Sequence, residues 1–299
     1  MAADQAITMQ MSNETRGMWL GAVGVALFSL TLPFTRLAVA ELNPVLVALG
    51  RAVVAALCSA LLLWRSGAVR PSTGQWQSLI IVALGVVVGF PVFSSVAMRY
   101  VPASHGAIVL GILPLATALF GALRFGERPS IGFWLAALVG SGIVVGFALQ
   151  QGGGQFQLAD LALLAAVLAA AMGYAEGARL SQTMGGQQVI SWALIVSMPI
   201  LLPVTIWLAL RYGMSASPQA WFGFAYVSLF SMFIGFFFWY RGLALGGIAR
   251  VGQVQLIQPF LTLLGAALIN GELLEMRNIM FALAVIAVVA IGRRMAIRR

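Results

Sequence analysis

The chain has 299 residues, of which 61% are hydrophobic and only 8% are charged, and its mean hydropathy is +0.99. A soluble domain carries about 25% charged residues, so this composition excludes a water-soluble fold and indicates a polytopic membrane protein. The formal charge of +9 comes from 17 arginines against eight acidic residues. Because the arginines mostly lie between apolar stretches, we interpret them as topology determinants and lipid-headgroup contacts, not as a nucleic-acid surface.

The apolar stretches predict ten membrane-spanning helices, and therefore an all-α fold. They lie between charged or turn-forming residues, at roughly 17–39, 44–64, 76–98, 103–123, 131–149, 158–180, 188–210, 219–243, 248–269 and 277–294. Proline directly after a break, as in Asn43-Pro44 and Ser217-Pro218, is typical of the first turn of a helix. Cys58 is the single cysteine, which excludes an intramolecular disulfide and a cysteine metal cluster, and the polar N-terminus does not read as a cleaved signal peptide.

One unit of sequence occurs twice. Residues 111–127 (GILPLATALFGALRFGE) and 256–272 (LIQPFLTLLGAALINGE) are 145 positions apart and agree at eight of seventeen positions without a gap. Chance would give about one or two matches, so we predict an internal duplication. The predicted organisation is a cytoplasmic N-terminal tail, a first five-helix repeat, a Gly/Gln linker, a second five-helix repeat and a basic cytoplasmic tail, at 1–16, 17–149, 150–157, 158–294 and 295–299.

Arginine placement predicts the orientation in the membrane. With the N-terminus inside, twelve arginines fall at cytoplasmic helix ends and five on the other side, which favours two cytoplasmic termini. Because each repeat has five spans, the second repeat enters the membrane inverted relative to the first. Inverted repeats are typical of transporters that work by alternating access. The alternative is a duplication that only enlarged the helical bundle.

Two prolines occupy the middle of apolar spans at equivalent positions of the repeats. Pro114 and Pro259 each lack an N–H, and the carbonyl that this frees in lipid needs a partner from protein or from a water-filled cavity. We predict that the fourth and ninth helices kink there and line the pathway, with Pro91 as a further candidate in the third span. A static packing kink is the alternative. The Gly-Glu pairs at 126–127 and 271–272 are interpreted as helix-end signals.

Aromatic and amide side chains provide the candidate substrate site. In the eighth span these are Phe237, Trp239 and Tyr240. At the repeat offset of 145 residues, Ser94 and Ser95 of the third span are the equivalents of Trp239 and Tyr240 and are candidates too. The sixth span contributes Tyr174 and the ninth contributes three amides, Gln253, Gln255 and Gln258. An apolar pocket with a few oriented polar groups suits a small zwitterion or an aromatic solute. A lipid-facing or interfacial position is the alternative for any single aromatic residue.

Two ionisable residues within spans are also candidates, because charge is costly in hydrocarbon. His105 is the single histidine and would bind substrate or take part in proton coupling, unless it is an interfacial residue with a satisfied ring. Glu176 has Arg179 three residues further on, a spacing that favours an ion pair over a proton carrier. No metal site and no cofactor are predicted.

The motif around the fourth span consists of AMRYVPAS, PL-TAL and GER, with a looser version in the second copy, at 97–104, 114–119, 126–128, 242–244, 259 and 271–272. This motif resembles that of the EamA-type branch of the drug/metabolite transporter superfamily. Arg51 and Asp160 also stand where that family usually has Arg and Asp. The resemblance covers nearly the whole chain and implies a secondary transporter with a central cavity between helices three, four, eight and nine, plus one and six. Among the branches it is similar to amino-acid exporters, including those for aromatic amino acids.

The sequence therefore predicts an exporter of amino acids, aromatic ones among them, or of similar small metabolites, located in a bacterial inner membrane. A multidrug or other metabolite exporter is the first alternative, and a channel or a lipid scramblase is the next. An intramembrane enzyme is disfavoured because zinc proteolysis needs a histidine pair and because no glycine-flanked nucleophile motif is evident. The absence of a phosphate loop excludes ATP-driven pumping by this chain alone. The solute, the coupling ion, the direction of transport and the oligomeric state remain open.

Overall fold

The computed structural model describes residues 2–125, 128–151, 157–246, 251–294 and 297–298, with most of their side chains from residue 13 to residue 292. Within these ranges the chain forms ten helices, which we number α1 to α10 in chain order. Their bounds are Ala2–Ser29 continued by Thr31–Val39, Pro44–Ser66, Thr73–Tyr100, Ala103–Phe125, Ile131–Gln151, Leu158–Met184, Gly186–Tyr212, Pro218–Gly246, Gly252–Asn270 and Met276–Arg294. Arg128–Pro129 pairs antiparallel with Ile297–Arg298, so this short strand pair joins the α4–α5 connection to the end of the chain.

Seven of these helices are long and apolar enough to cross a membrane by length and composition. They are α1 to α4 and α6 to α8. The other three, α5, α9 and α10, contain shorter apolar helical stretches. The predicted all-helical membrane fold of ten helices is therefore confirmed. The predicted Gly-Glu pair at 126–127 and most of the predicted linker lie outside the described residues.

The helix ends follow from local capping chemistry. Asn43 precedes α2, and its side-chain oxygen accepts hydrogen bonds from the backbone N–H groups of Val45 and Leu46. The first residue of α2 is a proline, whose missing N–H is no loss at that position. Two helices end on glycines in the left-handed conformation, Gly67 after α2 (φ 59°) and Gly271 after α9 (φ 68°), where a side chain would be strained. The boundaries are thus encoded locally.

The packing of the helices shows a pseudo-two-fold arrangement of the repeats. α1 lies along α8, and α3 lies along α6, which is the equivalent pair with the repeats exchanged. The remaining helices each contact their own counterpart: α2 with α7, α4 with α9 and α5 with α10. The end of α9 meets the start of α4, so these counterparts run in opposite directions. The axis that relates the repeats therefore passes between α4 and α9.

Backbone irregularities recur at equivalent positions of the two repeats. α3 contains a π-helical segment at Ala83–Gly89, and α8 contains one at Val227–Ile234. α4 contains a 3₁₀ segment at Leu110–Ile112, and α9 begins with one at Gly252–Ile257. π-helical and 3₁₀ segments within helices are frequent at functional sites and hinges. Four helices that surround the repeat axis therefore leave the regular α-helix.

The predicted kinks at the two prolines take a specific form. Pro114 and Pro259 each stand second in a new α-helical segment that follows a 3₁₀ segment. At that position the missing N–H is not needed for an α-helical hydrogen bond. The prolines therefore mark a change of helix type. Pro91 occupies an equivalent position, because it is second in the α-helical segment after the π-helical stretch of α3.

Carboxylates of the connecting segments tie the repeats together at one end of the bundle. Glu272 accepts hydrogen bonds from the backbone N–H groups of Ala103 (2.8 Å) and Ser104 (2.9 Å) at the start of α4, and it lies 3.5 Å from Arg36. Glu41 accepts from the hydroxyl and the backbone N–H of Ser217, and these two bonds lower the pKa of the Glu41 carboxyl. In the second repeat, the acidic residue of the Gly-Glu pair is thus a helix cap for the first repeat.

Candidate functional site

The largest described cavity lies inside the bundle and has an empty volume of about 360 Å³. Its walls come from α1, α2, α3, α4, α6, α8 and α9, and so from both repeats. The lining residues are Phe28, Thr31, Arg51, Val86, Phe90, Leu110, Leu113, Tyr174, Ser231, Phe236 and Gln258. Most of these side chains are buried, so the space is enclosed by protein. Its lining is mostly apolar with a few polar groups, which is typical of pockets that hold small molecules.

A second cavity of about 230 Å³ continues the first between α4 and α9. The two share Leu110, Leu113 and Gln258 as lining residues. Pro114 and Pro259 face each other across this second space, together with Gln255. The cavity system therefore reaches the repeat axis, at the point where both helices change type.

Arg51 is the one charged side chain among the described lining residues. It lies in α2, is 1% exposed, and its Nε and Nη1 have no hydrogen-bond partner among the described residues. Two hydroxyls that also line the cavity, those of Thr31 and Ser231, hydrogen-bond each other at 2.8 Å. Gln258 adds an amide that is partly buried. The polar part of the lining thus consists of one cation, two hydroxyls and an amide, with Tyr174 beside them.

Aromatic rings form another part of the lining. Tyr174 and Phe236 line the cavity with ring centroids 6.0 Å apart, and Phe28 lies 4.9 Å from Phe236 and 6.3 Å from Tyr174. Trp239 packs behind them, 5.8 Å from Tyr174. These spacings are those of edge-to-face and offset aromatic pairs. These rings are therefore suited to contact an apolar or aromatic group of a solute.

Comparison with known proteins identifies the architecture. The model of the EamA-like transporter family matches the chain twice, over residues 15–149 and 157–292. The chain belongs to the EamA-like transporter family. It is 46% identical over 285 residues to the uncharacterized transporter YdeK of Bacillus subtilis (strain 168), a match that covers 95% of this chain and 99% of YdeK. A protein of known crystal structure shares the fold, with a TM-score of 0.63, 18% identity and coverage of 93% of this chain and 96% of that chain.

Membership of the EamA-like family confirms three sequence-based predictions. The resemblance to EamA-type proteins was correct, the chain does contain the unit twice, and the protein is a membrane transporter of small molecules and not an enzyme. The protein is thus a multi-pass membrane protein, and its relative YdeK is bacterial. The family does not specify a substrate, so the residues of the cavity carry the argument about the solute.

Five of the predicted site residues of this EamA-like transporter lie on the cavity walls. They are Tyr174, Gln255, Gln258, Pro114 and Pro259. The side-chain nitrogen of Gln255 is buried and has no hydrogen-bond partner among the described residues. The side chain of the third amide, Gln253, lies outside the described residues. Tyr174 and Gln258 thus line the same cavity, and their contact with a solute stays a prediction.

Other predicted residues of the site lie away from the lining. Trp239 and Tyr240 are buried behind the cavity wall, and the Tyr240 hydroxyl donates to the Gly173 carbonyl at 3.2 Å. Ser94 and Ser95 are buried in α3, where the Ser94 hydroxyl donates to its own helix. Phe237 packs on Phe233 at 4.5 Å. α3 lines the cavity with Val86 and Phe90, and α8 lines it with Ser231 and Phe236. The predicted residues lie elsewhere on these two helices.

His105 is held by an acidic residue outside both cavities. Its Nε2 lies 2.6 Å from Oδ1 of Asp160 at the start of α6, and both side chains are buried. The second oxygen of Asp160 accepts the backbone N–H of Gln157 at 2.9 Å, which caps α6. The geometry favours the interpretation of His105 as a residue with a satisfied ring. This contact joins α4 and α6.

Glu176 forms its described ion pair with a residue of another helix. Its carboxylate accepts from Arg124 Nε of α4 at 3.2 Å and from the Ser78 hydroxyl of α3 at 2.5 Å, and the side chain is 3% exposed. The prediction of a neutralised carboxylate agrees with this geometry, and the structure adds Arg124 as a partner. The cluster joins three helices at the end of the bundle opposite to the His105–Asp160 contact.

The sequence-based site omitted the charged residue and the two hydroxyls of the lining. Arg51 was noted only for the resemblance that it carries, and Thr31 and Ser231 were not considered. An arginine in the middle of an apolar span is itself a signal, because such residues usually face the interior of the bundle. No comparable signal marks Thr31 and Ser231. Among the described residues, no group of three or more His, Cys, Asp or Glu side chains could hold a metal ion.

Proposed function

We propose that the protein is a secondary transporter that exports amino acids, aromatic ones included, or similar small metabolites by alternating access. The observation that carries this proposal is the cavity between the repeats, which is lined by aromatic rings together with hydroxyl, amide and guanidinium groups. Such a lining suits a solute with an apolar body and a polar end. The arginine distribution supports an inner-membrane orientation with both termini in the cytoplasm.

Alternating access requires elements that change conformation on both sides of the solute. The matched π-helical segments in α3 and α8, and the matched 3₁₀ segments in α4 and α9, border the cavity from both repeats. Polar clusters close the two ends of the bundle, with His105–Asp160 at one end and Glu176–Arg124 at the other. Equivalent elements in inverted repeats are suited to forming one gate each.

Counterflow in proteoliposomes tests the transport proposal. Vesicles preloaded with single unlabelled amino acids should accelerate the uptake of a labelled one, and the rate should saturate. Gln258→Ala should raise the half-saturating concentration about tenfold, because one hydrogen bond near a charged solute is lost. The exposed Gln182 of α6, changed to Ala, is the matched control with no expected effect. Linear, unsaturable flux would favour a channel and contradict the proposal.

The two prolines provide a test of the gating hypothesis. Pro114→Ala and Pro259→Ala each restore an N–H at the junction of a 3₁₀ and an α-helical segment, which favours a continuous α-helix. We expect the maximal rate of counterflow to fall several-fold while expression and the apparent melting temperature stay near those of the unmodified protein. Initial rates at saturating solute measure this effect.

Pro203→Ala is the matched control for the proline variants. Pro203 also stands inside a helix, α7, but its side chain is exposed and does not line either cavity. Its replacement should leave the transport rate unchanged. Unaltered kinetics in both Pro114→Ala and Pro259→Ala would show that these prolines are static packing features.

A further inference from the structure

The cavity contains a buried guanidinium group, that of Arg51. A solute bound only by apolar contacts would not need such a group. Arg51 is 1% exposed, lines the larger cavity, and leaves Nε and Nη1 without a hydrogen-bond partner among the described residues. An ionised side chain removed from water costs several kcal/mol unless a partner compensates it. Buried donors without partners are uncommon in native proteins, and each of them calls for a partner such as a water, an ion or a ligand.

The acidic groups that could neutralise Arg51 from the neighbouring helices are engaged elsewhere. α6 carries Asp160, held by His105, and Glu176, held by Arg124 and Ser78. Glu272 caps the start of α4. Among the described residues that line the two cavities, none is acidic. The positive charge of Arg51 is therefore directed at the cavity without a protein counter-ion in its lining.

We infer that Arg51 binds the carboxylate of the transported solute. This inference rests on the proposed function, since it names the chemical class of the solute that the transporter accepts. A guanidinium group offers several N–H donors that match the two oxygens of a carboxylate. Binding would pair the buried charge and satisfy its orphaned donors together, so the solute would stabilise the protein that carries it.

The rest of the lining favours a carboxylate over a phosphate ester. A single cation balances one negative charge, whereas a phosphate monoester would bring nearly two into an enclosed space. The groups around Arg51 are apolar or neutral: the rings of Phe28, Tyr174 and Phe236, and the paired hydroxyls of Thr31 and Ser231. A monocarboxylate with an apolar or aromatic side chain fits this distribution.

Binding to the purified full-length protein tests the inference independently of transport. The probes are four carboxylates: L-phenylalanine, L-leucine, 3-phenylpropionate and benzoate. L-Phenylalaninamide is the control that lacks a carboxylate, and phenyl phosphate is the dianionic comparison. We expect carboxylates to raise the apparent melting temperature of the unmodified protein, and the amide and the phosphate to have little effect. Arg51→Gln should weaken carboxylate binding about 30-fold or more, and Arg51→Lys should weaken it less.

The ligand-free stability of Arg51→Gln separates a binding role from a structural one. Removing an uncompensated buried charge should leave the apparent melting temperature of the free protein unchanged or higher. A structural arginine would instead lower it. Arg211→Gln is the matched control, because Arg211 is an exposed arginine near the end of α7 that lies 6.0 Å from the Trp207 ring. It should retain carboxylate binding in full.

The outcomes distinguish the inference from the proposed function. Carboxylate binding that is lost in Arg51→Gln, without counterflow of any amino acid, would support the inference and contradict amino-acid transport. Saturable counterflow with equal carboxylate binding by Arg51→Gln and the unmodified protein would support transport and overturn the inference. Equal binding of phenylalanine and its amide, stronger binding of phenyl phosphate, or no binding by any carboxylate of the set would also overturn it.

Discussion

Asp160→Ala is expected to lower the stability of the protein by about 3–5 kcal/mol, the range found when one partner of a buried polar pair is removed. The substitution leaves the His105 ring nitrogen buried without its partner at 2.6 Å. It also removes the carboxylate oxygen that accepts the Gln157 N–H at the start of α6. In detergent, the apparent melting temperature should fall by roughly 10 °C.

A second, exposed ion pair provides the control for Asp160→Ala. Glu275 lies 2.7 Å from Arg277, and both side chains are well exposed. Exposed pairs contribute about 0–1 kcal/mol, so Glu275→Ala should leave the melting temperature nearly unchanged. The double variant His105→Ala/Asp160→Ala measures the coupling between the two residues. An unchanged melting temperature in both single variants would show that the His105–Asp160 contact does not hold α4 and α6 together.

Gly242→Val is expected to separate α1 from α8 and to destabilise the protein by about 3 kcal/mol. A Cβ atom at Gly242 would lie 2.8 Å from the backbone nitrogen of Gly21 and 2.9 Å from the carbonyl oxygen of Gly17. Because these neighbours are backbone atoms, they cannot move aside as a side chain would. Small residues allow such close approach of helices in membranes. The yield of monodisperse protein and the apparent melting temperature measure the effect.

Gly142→Val is the matched control for this helix contact. Gly142 also lies within a helix, α5, but it is exposed, and a Cβ atom there would meet nothing within 4 Å. Both variants change helix propensity equally, so the difference between them reports the close packing of α1 on α8. Equal stability of the two variants would contradict the assignment of this contact as a determinant of the fold.

The repeat that is visible in the sequence also explains features of the backbone. The offset of 145 residues that aligns Pro114 with Pro259 also aligns the π-helical segments of α3 and α8. Pro91 stands directly after the first of these segments, whereas the equivalent residue in α8 is Phe236. The same irregularity thus persists in the second repeat without proline. Its recurrence on both sides of the cavity supports a role in movement of the two repeats.

The cavity itself breaks the symmetry of the repeats. Arg51 of α2 is replaced at the equivalent position of α7 by Val196, and Gln258 of α9 is replaced in α4 by Leu113. The polar groups of the lining therefore do not occur in symmetric pairs. Two equivalent halves would provide the movement, while the unpaired residues would set the orientation of the solute.

The sequence by itself determined the number and type of helices, their approximate ends and the duplication. In lipid each backbone N–H and C=O needs a partner within its own segment, so long apolar stretches must be helical. Capping residues such as Asn43 and Ser217, and the glycines after α2 and α9, act within a few residues of chain. These features depend on residues that are close together in the chain, so the order of residues alone is enough to predict them.

Only the tertiary structure decided which residues of each helix face the cavity. The helices are apolar on nearly every side, so the periodicity that distinguishes an inner from an outer face in soluble proteins is absent. The rotation of a helix about its axis is fixed instead by contacts between distant residues, such as Gly17 with Gly242 and His105 with Asp160. For this reason the sequence could not show that Arg51 lines the same cavity as Tyr174 and Gln258, or that Phe237 lies away from it.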